Sequence, residues 1–196
     1  DLHLLSRRQR QMCIRDRKWS EQRIYMMDFD RQVNEIFNGD PAAFSGKRIL
    51  LGITGDERVS AKASPNGKQT AFCVNRDVWL YDQADEKLVN VFSFRTGEDQ
   101  SAMEYNKHDV RILQVSDNGD IDFLLYGYMN RGRHEGQVGI GLYHYSDEKC
   151  ALEERFFAPS ITTYEDLRAD LEKLCYLSGS GMLYLMQDCL LYTSPS

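Results

Sequence analysis

A turn-and-strand pattern occurs twice in this chain and limits its fold more than any other feature. Residues 64–67 read Ser-Pro-Asn-Gly, and residues 116–119 read Ser-Asp-Asn-Gly. Proline presets one φ angle and an Asn-Gly pair tolerates positive φ, so both segments favour tight turns. Runs of β-branched and aromatic residues follow each turn, and the copies begin about 50 residues apart, a period typical of small antiparallel sheets in repeat proteins.

Each copy is predicted to contain three strands. The first copy places them at residues 69–74, 78–81 and 88–94, and the second at residues 120–126, 138–145 and 152–157. An Asp-Glu-Lys sequence precedes the last strand of both copies, at 85–87 and 147–149, and we expect these two turns to be equivalent. Residues 182–186, after a Gly-Ser-rich turn, look like the start of a third copy.

Helical spacing is found in two segments outside the copies. Residues 163–166 resemble a capping box and open a predicted helix that ends at 174, with an apolar stripe formed by Tyr164, Leu167, Leu171 and Leu174. Residues 30–37 carry a second apolar helical pattern, which Asn38-Gly39 ends as a C-cap would. Further strands are predicted at 24–29 and 48–53.

The two ends of the chain read better as translated DNA adapter than as protein. Residues 7–16 can be back-translated into the read primer and mosaic end of transposase-based sequencing libraries, and residues 1–3 into the end of a flow-cell adapter. Residues 189–196 can be back-translated into the reverse complement of the same mosaic end. Non-native segments are excluded before fold reasoning. We therefore expect residues 1–17 and 189–196 to be adapter-derived, and residues 18–188 to be the protein.

This exclusion removes the only sequence argument for nucleic acid. Without the ends, Lys and Arg fall from 24 to 19 and Asp and Glu from 30 to 28, so the net charge moves from −6 to −9. Such an acidic surface repels phosphate backbones and anionic lipid heads, so neither is the expected partner. No stretch approaches the ~20 apolar residues of a membrane span. An envelope anchor upstream of residue 18 stays open, and the compartment is not assigned.

The first copy resembles the sequence repeats of a known class of β proteins. Its Ser-Pro-Asn-Gly-Lys turn at 64–68, followed by a strand and by Asp-Val-Trp-Leu-Tyr-Asp at 77–82, resembles the repeats of WD40-like β-propellers. Such repeats occur in the TolB family and in the propeller domains of prolyl-oligopeptidase-type peptidases. The resemblance implies a mainly β fold, an antiparallel propeller-like fragment of two to three blades with one or two short helices. A β-sandwich and an irregular β-solenoid are the alternatives.

Residues with catalytic or metal-binding chemistry form no convincing set. Cys73, Cys150 and Cys175 are far apart and include no C-x-x-C pair, so we expect core or surface thiols. Residues 117–122 lack the ligand spacing of a calcium loop, and the histidines lack H-E-x-x-H spacing. No Ser-His-Asp set is recognisable, and Gly139-Ile140-Gly141 opens no helix. We predict no cofactor and no metal.

A polar loop is the best candidate for binding, because loops held on rigid strands carry function disproportionately. It interrupts the second copy, and its candidate residues are Asn130, Arg131, Arg133, His134 and Glu135. The expected function is a non-catalytic interaction or scaffold module of a bacterial cell, with a protein as the expected partner. The alternative is the propeller part of a larger hydrolase whose catalytic domain lies outside this sequence. A small stand-alone enzyme is the least favoured hypothesis.

Overall fold

The computed structural model describes residues 9–19, 24–40, 43–45, 48–52, 59–95, 105, 107–178, 182–187 and 190–195. Within them the fold is mainly β, with antiparallel sheets and one α-helix, as the sequence predicts. The chain forms two compact units, Asp1–Arg58 and Val59–Ser196. No helix in the described parts of the chain is both long enough and apolar enough to cross a membrane.

The described residues of the first unit form one long and one short antiparallel pair. Strands β1 (Gln9–Trp19) and β2 (Ile24–Glu35) form a hairpin, and β3 (Phe44–Ser45) pairs with β4 (Arg48–Ile49). The helix predicted over residues 30–37 is wrong, because that segment pairs its backbone with β1 as far as Glu35. The strand predicted over 48–53 is observed only as β4, and Ile53 lies outside the described residues.

Where the second unit is described, its strands form three antiparallel sheets, and in each of them consecutive strands are neighbours. The first sheet contains β5 (Ser60–Ala63), β6 (Gln69–Val74), β7 (Asp77–Asp82) and β8 (Lys87–Phe92). The second sheet contains β9 (His108–Val115), β10 (Ile121–Tyr128), β11 (Val138–Ser146) and β12 (Ala151–Pro159). The third sheet contains β13 (Cys175–Leu177), β14 (Met182–Gln187) and β15 (Leu190–Pro195).

Each predicted copy is therefore a four-stranded meander rather than a three-stranded one. The strands predicted in the two copies are all present, with ends that shift by one or two residues. The first strand of each sheet, β5 or β9, was not predicted. All four residues of β5 are exposed, so no apolar alternation marks it. Strand β15 lies in the segment that the sequence attributes to adapter, and that attribution stays a prediction.

The two turns that open the copies have the same geometry. Gly67 and Gly119 both adopt positive φ, 71° and 89°, and their N–H groups donate to the carbonyls of Ser64 and Ser116. Glycine tolerates this φ without steric cost. A hydrogen bond joins the turns, since the N–H of Asn66 donates to Oδ1 of Asp117 at 2.9 Å. The sheets thus stack with equivalent turns side by side.

The Asp-Glu-Lys sequences do not occupy equivalent positions, contrary to expectation. Four residues separate β7 from β8 and β11 from β12, and the last of each four, Glu86 or Cys150, has positive φ. Counted from that residue, the two Asp-Glu-Lys sequences are offset from each other by two positions. The two turns share a backbone conformation. The Asp-Glu-Lys sequence, however, occupies different positions in each, so its recurrence does not mark an equivalent site.

The second sheet is buried on both faces. One face packs on the first sheet, through a cluster that includes Ala71, Val78, Leu80, Val91, Ile121, Phe123 and Leu125. The other face packs on the helix and the third sheet, through Leu124, Tyr126, Ile140, Leu142, Leu167, Leu171, Leu183 and Leu185. Fully burying such a side chain stabilises the fold by about 1.5–3 kcal/mol. Strand β10 contributes to both clusters, so it is the centre of this unit.

Helix α1 (Tyr164–Leu174) forms as predicted. The hydroxyl oxygen of Thr163 accepts a hydrogen bond from the N–H of Asp166, which caps the helix start. Acidic side chains in the first turn, Glu165 and Asp166, complement the helix dipole. Tyr164, Leu167 and Leu171 are buried, so the predicted apolar stripe faces the core. The side chain of Leu174 lies outside the described residues.

Candidate functional site

The predicted binding loop connects β10 to β11 and has a defined backbone. Hydrogen bonds close it at its base, from the N–H of Met129 to the carbonyl of Gln137 and from the N–H of Gly136 to the carbonyl of Met129. Gly132 and Gly136 adopt positive φ of 92° and 85°. An internal bond joins the N–H of Glu135 to the carbonyl of Gly132. The loop therefore presents its side chains from a hydrogen-bonded frame.

This loop forms one wall of a cavity of about 320 Å³. The opposite wall comes from the end of β8 in the first sheet, and the remainder comes from β11 and β12 in the second sheet. The cavity thus lies between two sheets of the same unit. Its lining residues are Phe92, Ser93, Phe94, Met129, Arg131, Gly132, Arg133, His134, Tyr143, Leu152 and Glu154.

A polar cluster inside the cavity is centred on Glu154. Its Oε1 lies 2.9 Å from Nε2 of His134, and its Oε2 accepts a hydrogen bond of 2.9 Å from the hydroxyl of Tyr143. The imidazole of His134 stacks on the ring of Phe157, with 3.6 Å between the ring centroids and 7° between the planes. The loop is therefore fixed to β11 and β12 through side chains as well as through its own backbone.

Tyr143 serves as a hydrogen-bond donor in this cluster. Burial raises the pKa of its phenol, and the hydrogen bond and negative charge of Glu154 raise that pKa further. The phenol therefore keeps its proton at neutral pH and holds Oε2 of Glu154. Because both carboxylate oxygens have close polar neighbours, Glu154 is less available to a cationic ligand than an unpaired carboxylate.

The five predicted loop residues are only partly brought together. Arg131, Arg133 and His134 line the cavity. Asn130 is buried, and its side-chain amide donates to the carbonyl of Tyr105 at 2.7 Å, which anchors the start of the loop. Glu135 is exposed and does not line the cavity. Asn130 therefore has a structural position, whereas the two arginines and the histidine have access to a ligand.

Sequence reasoning missed the aromatic part of the cavity. Phe92, Phe94 and Tyr143 belong to the core cluster between the first two sheets, and they also line the cavity. Their rings are close: the Phe92 and Phe94 centroids are 4.9 Å apart, and those of Phe92 and Tyr143 are 6.4 Å apart. Apolar and polar residues alternate along a strand in the same way whether the apolar side chain faces the core or a cavity beside the core. No pattern in the sequence distinguishes the two.

The other two histidines that the structure describes, His108 and His144, lie in separate places. Nδ1 of His144 is 2.7 Å from Oδ1 of Asp122, whose Oδ2 accepts from the amide of Gln114. His108 is buried and packs edge-to-face on Phe94, at 4.8 Å between ring centroids. Burial, together with the charges of Arg76 and Arg95, lowers the pKa of His108 to about 3. His108 is therefore neutral at physiological pH.

Metal-ligating side chains do not cluster in the described parts of the chain, where no group of three or more His, Cys, Asp or Glu could hold an ion. In the 117–122 segment, Asp117 accepts from the backbone of Asn66, and Asp120 from the backbone of Asp147. Both carboxylates thus tie turns together. Cys73, Cys150 and Cys175 form no disulfide bond with one another.

The cavity is the best candidate site because it combines a defined loop, aromatic walls and charged groups. Clefts of about 300–1,000 Å³ with apolar walls and a few polar groups are the usual form of small-ligand sites. At about 320 Å³, this cavity is at the lower end of that range.

The chain matches no known protein-family model, and no curated protein is similar to it at a significant level.

Proposed function

We propose that this chain is a non-catalytic binding module, and that the cavity between its first two sheets is the ligand site. The observation that carries the proposal is the cavity itself, since part of its lining is a hydrogen-bonded loop that contributes two arginines. The loop follows β10, which is buried on both faces from Ile121 to Gly127. Such a scaffold keeps the site preformed, which lowers the entropic cost of binding.

We also propose that the stacked meanders are successive blades of a propeller-like repeat protein. Three features support this: the first two sheets contain the same four-stranded meander, their opening turns share one geometry, and β9 packs beside both β5 and β6. A third sheet follows in the same order along the chain. Scaffold proteins of this kind bind partners through loops at one end of the sheets, and a protein or peptide is the expected partner class.

A cavity-filling variant tests the binding proposal. Leu152 lines the cavity from β12 and is 39 % exposed, so Leu152→Trp can occupy the cavity without disturbing the core. Ligand-observed NMR with a library of small aromatic fragments is the measurement. We expect some fragments to bind the unmodified chain. For these fragments, Leu152→Trp should raise the dissociation constant about tenfold or more, a loss of about 1.4 kcal/mol in binding free energy.

The matched control is Ile161→Trp, which adds the same ring at a loop position that is 94 % exposed and outside the cavity. This variant keeps the binding of every fragment if the cavity is the site. The proposal is contradicted if no fragment binds, or if Leu152→Trp and Ile161→Trp leave binding equally unchanged. Circular dichroism on both variants confirms that the sheets remain folded.

A further inference from the structure

We infer that the ligand of this cavity is a carboxylate carried on an apolar, ring-sized body. This inference rests on the proposed binding function and names the ligand class for the same site. It starts from a contrast in charge. The whole chain carries a net charge of −6, yet the lining residues include two arginines and one carboxylate, that of Glu154. A basic opening in an acidic molecule selects an anionic group.

Glu154 and Arg133 differ in how far they are already engaged. Both oxygens of Glu154 are held, one beside His134 and one by Tyr143. Arg133 is exposed, and the structure records no hydrogen bond or ion pair between it and any described residue. A guanidinium presents a planar fork of donors that matches the two oxygens of a carboxylate. Arg133 is therefore the group that meets the ligand's charge.

The inner part of the cavity fits an apolar body. Phe94 and Met129 are buried lining residues, and the rings of Phe92 and Tyr143 beside them are half-buried. Aromatic rings attract a further ring in tilted or edge-to-face arrangements, which add to the gain from burial. The volume of about 320 Å³ holds a single ring with a short chain. The ligand's ring thus lies inward, and its carboxylate lies at the arginine rim.

Two sources can supply this chemistry: a free aryl-alkyl carboxylic acid, or the C-terminal residue of a peptide. Both place an apolar side group within a few bonds of a carboxylate. A pair of pentapeptides ending in Phe, one with a free and one with an amidated C-terminus, identifies the peptide source. 3-Phenylpropionate and its amide, 3-phenylpropionamide, identify the small-molecule source. Within each pair only the charge of the head group differs.

Calorimetric titration of the full chain with these probes is the test. We expect at least one carboxylate probe to bind about tenfold or more tightly than its amide, because a hydrogen bond to a charged group is stronger than one between neutral groups. Arg133→Gln removes that preference, and Arg133→Lys keeps part of it because the positive charge remains. The matched control is Arg155→Gln on β12, which removes the same charge outside the cavity, where Arg155 pairs with Glu153.

The outcomes separate this inference from the function on which it rests. If acid and amide bind equally, or if Arg133→Gln and Arg155→Gln have the same effect, the carboxylate inference is wrong while the cavity remains a binding site. If 2-phenylethylamine binds more tightly than 3-phenylpropionate, the site selects cations and the inference is also wrong. If no probe binds, the inference fails, and an empty fragment screen then rejects the binding function as well.

Discussion

His108 shows how one buried side chain makes the stability of this chain depend on pH. Its ordinary pKa of 6.5 is lowered to about 3, mainly by burial and further by Arg76 and Arg95. Between those pH values the unfolded chain binds a proton on this residue that the folded chain does not bind. The part of the free energy of unfolding that depends on His108 is therefore fully present above about pH 6.5. It is lost as the pH falls toward 3, with a slope of up to about 1.4 kcal/mol per pH unit.

The variant His108→Gln tests this dependence. Lowering the pH from 7 to 5 costs the unmodified chain about 2 kcal/mol through His108, and the variant is spared that cost. Urea denaturation at the two pH values measures the difference, and every other titrating group serves as an internal control because both proteins contain it. Equal losses in the two proteins would mean that His108 is protonated in the folded state.

Residue chemistry also explains how much of the candidate site the sequence could predict. Arg131, Arg133 and His134 were predicted because a polar insertion between two strands must be exposed as a loop. Phe92 and Tyr143 were not, because their alternation matches that of core residues. The decisive fact is which strand ends lie opposite the loop, and this depends on the stacking of two sheets. Local sequence carries no record of that long-range arrangement.

At the scale of elements, a single carboxylate on β9 joins three parts of the fold. Oδ2 of Asp109 accepts a hydrogen bond of 2.6 Å from the hydroxyl of Tyr164 on α1. Its Oδ1 lies 3.4 Å from Nε of Arg76 in the β6–β7 turn, and its Oδ2 lies 3.3 Å from Nε of Arg168 on α1. Asp109 thus links the first sheet, the second sheet and the helix.

Asp109→Asn should weaken this junction while keeping its shape. The amide cannot pair with the arginines as a carboxylate does, so we expect the free energy of unfolding to fall by about 1–3 kcal/mol. Glu153→Gln is the matched control, because its ion pair with Arg155 is exposed and such pairs contribute at most about 1 kcal/mol. Thermal and urea denaturation of both variants decide the question. A loss for Asp109→Asn no larger than that for Glu153→Gln would refute the role of Asp109.

Local signals predicted elements well where they were strong, and failed where pairing decided the outcome. The capped and striped helix α1 formed as expected, since capping and spacing act within the helix itself. The helical pattern at residues 30–37 was overridden, since the backbone there pairs with β1. Strand β5, with its four exposed residues, exists through pairing with β6. Such pairing depends on distant partners and leaves no local pattern.

At the scale of the whole molecule, the described residues of the second unit cover its sheets unequally. Among these residues, the second sheet has neighbours on both faces, whereas the third sheet packs on the second sheet and the helix through one face. On its other face, Tyr176, Tyr184 and Met186 are exposed, and Tyr176 pairs directly with Tyr184 across β13 and β14. Contiguous exposed apolar side chains of this kind favour association between molecules.

The full chain should therefore self-associate through this face, in proportion to its concentration. A double variant, Tyr184→Lys with Met186→Lys, places two charges on the face and should shift the chain toward monomer, since like charges on facing copies repel. Sedimentation velocity over a hundredfold range of concentration is the measurement. Ile161→Lys is the control, because Ile161 is an isolated exposed residue in a loop. If the unmodified chain is monomeric throughout, or if Ile161→Lys dissociates it equally, this face is not the contact.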